Sequence, residues 1–263
     1  MKIVPYANNQ DVQIHYEVEG NGPSLVLLHG LNGNLERFRI YGYVEPLKEK
    51  YQLILIDVRG HGTSDKPHEP EAYKMKTLVA DIVAVLDQLK VGKAHFLGYS
   101  MGGGVCFGFA KYASERFCSM IIGGAHPYKP TADDQAWLDS YIQLLKEGKD
   151  AVIADTEKKL GPEMTPKYRA QLMAWLDTEA LVALLMSEDY TSSFEEVVPT
   201  LKVPCLVYAG EKDASYSSVR KCAESMPNTT FVSLPNLDHR GAFVQSSIIL
   251  PHVLKFLEKV SRT

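Results

Sequence analysis

The 263-residue chain has no apolar run that approaches the length needed to cross a bilayer, so no membrane partner is expected. A charged-then-apolar leader is also missing, because Pro5, Asn8, Asn9, Gln10 and Asp11 break up the start. There is no basic run, and the formal net charge is −4. That balance speaks against nucleic acid or an anionic surface as the main partner. Cysteine is scarce: Cys106, Cys118, Cys205 and Cys222 lie far apart, three of them in or beside apolar runs. Buried free thiols in a reducing compartment are the simpler reading, and a cytoplasmic location is the expectation. H-E-x-x-H, paired-cysteine and P-loop motifs are all missing, and Gly102-Gly103-Gly104 lacks the G-x-G-x-x-G spacing. No metal or cofactor is therefore expected. The expected partner is a small-molecule substrate, with a monomer or a homodimer as the expected assembly.

The remaining composition is that of an ordinary globule, 45% hydrophobic and 23% charged. Val12, Ile14, Tyr16 and Val18 alternate with polar residues and predict a half-buried strand, paired with Lys2 to Tyr6 across a turn at Ala7 to Asp11. Short continuous apolar runs follow at Leu25–Leu28, Leu53–Ile56, His95–Leu97, Met120–Ile122, Leu206–Tyr208 and Phe231–Leu234. Runs of this kind suit parallel strands buried on both faces. Helical spacing separates them: Leu78, Ile82, Val85, Leu86 and Leu89 share one face, as do Val253, Phe256, Leu257 and Val260. The alternation predicts an α/β fold with a mostly parallel central sheet and helices on both faces.

The exception is residues 128–198, which hold helix patterns and no clear strand. Trp137, Tyr141, Leu144 and Leu145 share a face, as do Tyr168, Leu172, Trp175 and Leu176, and Ala180 to Met186 is apolar nearly all round. This predicts an all-helical insert at 128–198 within a core made of residues 1–127 and 199–263.

Gly98-Tyr99-Ser100-Met101-Gly102 stands between a strand pattern and a helix pattern. A G-x-S-x-G arises by chance about 0.09 times in a chain this long, so its context decides its weight. Here a buried strand ends at Gly98 and an apolar helix follows Gly102, the setting of a nucleophile elbow. A serine held in that turn brings backbone close on either side, where only glycine fits. Such a nucleophile needs a base, and the base needs an orienting acid. Asp213 follows the strand ending at Gly210, and His239 follows the next strand in the loop before the last helix. The order Ser100, Asp213, His239 suits the nucleophile–acid–histidine arrangement. Glu211, Asp238, Asp133 and Asp134 remain alternative acids, and His15, His61, His68 and His252 are weaker bases. The oxyanion hole is assigned to the backbone N–H groups of Leu31 and Met101, with Asn32 as fallback for Leu31. His29 reads as a structural loop residue. Tyr99, His126, Tyr128, Trp137, Tyr141, Trp175 and Phe243 are the candidate pocket residues.

With His29-Gly30, Asp57-Val58-Arg59-Gly60-His61-Gly62-Thr63-Ser64, Gly210-Glu211-Lys212-Asp213 and Asp238-His239, these motifs make the chain resemble the α/β-hydrolase-fold serine hydrolases of the esterase and lactonase type. The resemblance runs from near residue 25 to the C-terminus. It implies an acyl-enzyme on Ser100 and a structural role for Asp57 to Ser64. Haloalkane dehalogenases and epoxide hydrolases of this fold carry Asp at the elbow, where this chain has Ser100. No Arg or Lys stands out in the sequence as a carboxylate grip, so the expected substrate is a small or medium uncharged ester, lactone or thioester. C–C bond hydrolysis, acyl transfer or a cofactor-free perhydrolase reaction on the same triad is the alternative. A slow-turnover ligand sensor is the other.

Overall fold

The computed structural model describes residues 5–261. The chain opens with an antiparallel hairpin, β1 (Tyr6–Asn9) and β2 (Val12–Glu19). This differs from the expected pairing of Lys2–Tyr6 across Ala7–Asp11. The turn is confined to Gln10 and Asp11, both at positive φ, so Ala7 to Asn9 become strand; Lys2, Ile3 and Val4 lie outside the described residues.

β3 (Ser24–Leu28), α1 (Glu36–Ile40), α2 (Val44–Lys48), β4 (Gln52–Ile56), α3 (Met75–Gln88), β5 (Ala94–Tyr99), α4 (Met101–Tyr112) and β6 (Phe117–Gly123) follow. Four helices come next, α5 (Ala132–Lys146), α6 (Lys149–Leu160), α7 (Pro166–Trp175) and α8 (Thr178–Leu185). The chain then returns to the sheet with β7 (Cys205–Gly210), α9 (Tyr216–Ser225), β8 (Thr229–Leu234), α10 (Gly241–Val244) and α11 (Ser246–Val260). The sheet order is β1-β2-β4-β3-β5-β6-β7-β8, with every pair from β4 to β8 parallel and β2 antiparallel to β4. All six predicted apolar runs fall inside β3 to β8.

Both faces of the sheet are covered, which is why those runs are continuous rather than alternating. Val26, Leu28, Ile54, Ile56 and Phe96 face a core shared with α3 and α4. Leu25, Leu27, Leu53, Leu55 and Leu97 face a second core shared with α2 and α11. The first core continues into α5, α6 and α8 through Leu138, Leu145, Val152, Ile153 and Leu184. α8 packs against both α5 and the 3-10 turn Pro70–Tyr73, so its apolar residues are covered on two sides. Met186, just beyond it, stays 56% exposed.

One helix face departs from its periodicity. Tyr141 and Leu145 are buried, but Trp137 is 55% exposed and lies flat on Tyr141, with ring centroids 5.3 Å apart. Trp137 sits at the margin of the apolar stripe of α5, one turn before Tyr141, and covers that ring from the solvent side.

Candidate active site

Ser100 stands at the junction of β5 and α4 with φ 54° and ψ −116°, a strained conformation for a side-chain-bearing residue. The glycines around it make this turn possible. A Cβ on Gly98 would lie 2.3 Å from the Gly102 carbonyl oxygen, and one on Gly102 would lie 2.2 Å from the Leu28 carbonyl oxygen. The first intrahelical bond of α4 runs from Gly104 N–H to Ser100 O at 2.9 Å, so the Met101 N–H precedes the helix ladder at the positive end of its dipole.

Ser100, Asp213 and His239 follow the carboxyl ends of β5, β7 and β8, at one edge of the parallel sheet. His239 Nε2 lies 2.9 Å from Ser100 Oγ, and His239 Nδ1 lies 2.6 Å from Asp213 Oδ2. With Nδ1–H donating to the carboxylate, Nε2 is left to accept the serine proton. Asp213 is only 7% exposed. Its Oδ1 accepts from Ser215 N–H at 2.9 Å and from Ser215 Oγ–H at 2.8 Å. Burial works to raise the Asp213 pKa, but the His239 bond and charge together with the Ser215 bonds hold it below the ordinary carboxylate range.

Three of the other candidate acids are engaged elsewhere. Glu211 accepts from Ser233, Asp238 accepts from Gly241 N–H, and Asp134 closes the capping box of α5 with Thr131. Asp133 lies in the first turn of the same helix. Among the other histidines, His15 pairs with Asp57 and His61 is buried against His29.

The loop after β3 approaches the elbow closely, since a Cβ on Gly30 would lie 3.3 Å from Ser100 Cβ. Gly33 N–H donates to Gly30 O at 3.0 Å, and Asn32 takes φ 57°. That turn carries the Leu31 N–H. His29 fixes the loop from beneath: its Nδ1–H donates to Gly30 O and its Nε2 accepts from Val58 N–H. Burial keeps His29 below the ordinary histidine range, so it is a neutral strut. Asp57 anchors the same region by accepting from the N–H groups of Leu35 and Thr63.

The seven expected pocket residues divide. Tyr99 packs beneath His239, and its hydroxyl donates to the His239 carbonyl. Phe243 is a core residue, packed among Phe38, Tyr41, Tyr43 and Tyr99. His126 accepts from Tyr128 N–H, and Tyr128 is covered by the Lys221 ammonium. Trp137 is turned to solvent. Tyr141 receives a hydrogen bond from the Asn32 amide, tying α5 to the loop after β3. Trp175 lines a narrow crevice with Asn32, Gly33, Leu172 and Leu176.

Two further links join the helical segment to α1 and to the residue after His239. Arg37 on α1 donates to the Tyr168 hydroxyl on α7, and Arg240, which follows His239, pairs with Glu163. Their partners lie 131 and 77 residues away in sequence, so local periodicity carried no sign of them.

Residues 23–240 match the family model described as the alpha/beta hydrolase fold. A 3-oxoadipate enol-lactonase 2 of Acinetobacter baylyi is 30% identical over 78% of this chain and 77% of its own. The AB hydrolase superfamily protein YisY of Bacillus subtilis is 27% identical over 90% of this chain and 91% of its own. Among solved structures, the enol-lactonase from Burkholderia xenovorans superposes with a TM-score of 0.82 at 23% identity, covering 97% of this chain and 100% of that one.

Proposed function

Because the chain belongs to the alpha/beta hydrolase fold family and is a hydrolase, we propose that it cleaves a small or medium carboxylic ester, lactone or thioester through an acyl-enzyme on Ser100. The observation that carries this reading is the unbroken hydrogen-bond line from Ser100 Oγ through His239 to Asp213, at 2.9 and 2.6 Å. The similarity to an enol-lactonase adds support for the bond class. One fold hosts many reactions, so the site and not the fold must carry the substrate.

His239 Nε2 takes the Ser100 proton as Oγ attacks the substrate carbonyl carbon. The oxyanion is held by the Leu31 and Met101 N–H groups, at about 3 kcal/mol per donor in sites of this kind. The imidazolium, stabilised by Asp213, gives its proton to the leaving oxygen or sulfur. Water then attacks the acyl carbon as His239 takes its proton, and the imidazolium returns that proton to Ser100 Oγ as the acyl–oxygen bond breaks and the acid product leaves. The helical segment 128–198 acts as the cap over this site. Its support comes from three ties, Tyr141 to Asn32 in the loop after β3, Tyr168 to Arg37 on α1, and Glu163 to Arg240 beside His239.

A panel of acyl esters, lactones and thioesters, followed by product analysis, tests the reading. Acid and alcohol (or thiol) released in equal amounts from the esters and thioesters, and a single hydroxy acid from the lactones, with loss of turnover in Ser100→Ala, is the expected result. Turnover that survives in Ser100→Ala, or product formed only with an acceptor other than water, contradicts it.

A further inference from the structure

Among the described residues, eight buried side-chain polar atoms have no hydrogen-bond partner, and three of them belong to the walls of one crevice. They are Asn32 Oδ1, His61 Nε2 and Trp175 Nε1. The crevice lies where the end of α7 meets the loops after β3 and β4, with Gly33, Leu176 and Leu181 forming part of its wall. None of the other five atoms belongs to it. A polar atom shut away from water without a partner is costly, so three in one place call for a shared partner.

The chemistry of the three atoms defines that partner. Trp175 Nε1–H can only donate. Asn32 gives its Nδ2–H to the Tyr141 hydroxyl, which leaves Oδ1 to accept. His61 Nδ1–H donates to the Arg59 carbonyl at 3.2 Å, so Nε2 is the second acceptor, and burial keeps that ring neutral by lowering its pKa. The crevice therefore offers one donor and two acceptors. A group that accepts once and donates twice satisfies all of them. Water does so, whereas a hydroxyl has one proton too few and an ammonium or metal ion cannot accept from the indole. Size agrees: the cavity is about 10 Å³, close to the space one water needs, and about three polar partners is usual for a buried water. We infer that one ordered water sits in this crevice, accepting from Trp175 Nε1–H and donating to Asn32 Oδ1 and His61 Nε2, and so ties α7 to the loops after β3 and β4. The water also completes the hold on Asn32, whose Nδ2 is on Tyr141 of α5 and whose carbonyl accepts from Arg37 of α1. Asn32 adjoins Leu31 in the turn that passes Ser100 at Gly30. The water site does not depend on the hydrolase reading.

The native chain itself allows the test, because it has two tryptophans in opposite surroundings. Trp137 is 55% exposed, while the Trp175 indole nitrogen is buried. Cross peaks from each nitrogen-15-labelled indole N–H to the water frequency are recorded in laboratory-frame and rotating-frame Overhauser experiments. The signal that disappears in Trp175→Phe is assigned to Trp175. Its water cross peaks should have opposite signs in the two experiments, the mark of a bound water rather than of proton exchange. No residue around the crevice carries a hydroxyl whose exchanging proton would imitate that result. A Trp175 signal with no water cross peak, or with the same sign in both experiments, overturns the inference. A crystal structure of the native chain gives a second, independent reading. It should show one density peak about 2.7–3.2 Å from Asn32 Oδ1, His61 Nε2 and Trp175 Nε1. A direct bond from Trp175 Nε1–H to Asn32 Oδ1 or His61 Nε2, or a crevice with no peak, overturns it.

Discussion

The Tyr99 hydroxyl donates to the backbone carbonyl of His239, so the residue just before the nucleophile holds the loop that carries the base. The bond spans 140 residues of sequence and joins the ends of β5 and β8 directly. Tyr99→Phe keeps the ring contact and removes the hydroxyl. It should lower kcat by roughly fivefold with little change in KM, the scale of about 1 kcal/mol for one hydrogen bond. Steady-state kinetics on the best ester of the panel checks this, and a rise in KM at constant kcat would place Tyr99 in substrate binding instead.

Asp213→Asn tests the orienting acid. The amide can still meet Ser215, but it can present N–H to His239 Nδ1 and favour the wrong tautomer. A fall in kcat on the order of 10⁴-fold is expected, as for the equivalent change in triads of this type, with the fold retained. Circular dichroism and thermal melting establish the fold; kcat within tenfold of the native value would remove Asp213 from the triad.

Two glycines of α4, two residues apart, should respond in opposite ways. Gly102→Ala drives a Cβ to 2.2 Å from the Leu28 carbonyl and should destabilise the chain by about 3 kcal/mol or more, or prevent folding. Gly104→Ala meets nothing within 4 Å and should stabilise it by about 0.5–1 kcal/mol through helix propensity. Urea midpoints of the two variants against the native chain are the measurement.

The elbow and the Ser100, Asp213, His239 order were legible because each residue follows its own strand end, and strands of this sheet are short unbroken apolar runs. What the sequence left dark was lateral. Arg37 looks like any helix-surface arginine until α7 brings Tyr168 to it, and Asn32 looks like a turn residue until Tyr141 reaches it from α5. Trp137 misled because helical spacing defines a face but not its edge, and at the edge a large ring can lie over its neighbour and stay wet. The opening hairpin was misplaced because Gln10 and Asp11 adopt positive φ without a glycine to announce it.

Acid should weaken the fold through His61. Burial lowers its pKa to about 3, and it lies 5.1 Å from the buried His29, whose pKa is also lowered. The unfolded chain takes these protons near the ordinary histidine value of about 6.5. The folded state binds fewer protons between those limits, so stability is present above about pH 6.5 and is lost as pH falls towards 3. Urea midpoints from pH 7.5 down to 5 should fall, and fall less steeply in His61→Gln. Equal slopes for the two proteins would show that His61 ionises alike in both states.

The central claim is that Ser100 is an activated nucleophile. Intact-mass analysis after exposure to a small fluorophosphonate tests it most directly. One adduct on the native chain, mapped to Ser100 and missing from Ser100→Ala, is the result predicted by the line from Ser100 to Asp213. A native chain that takes no adduct, or a Ser100→Ala chain that labels equally, contradicts it.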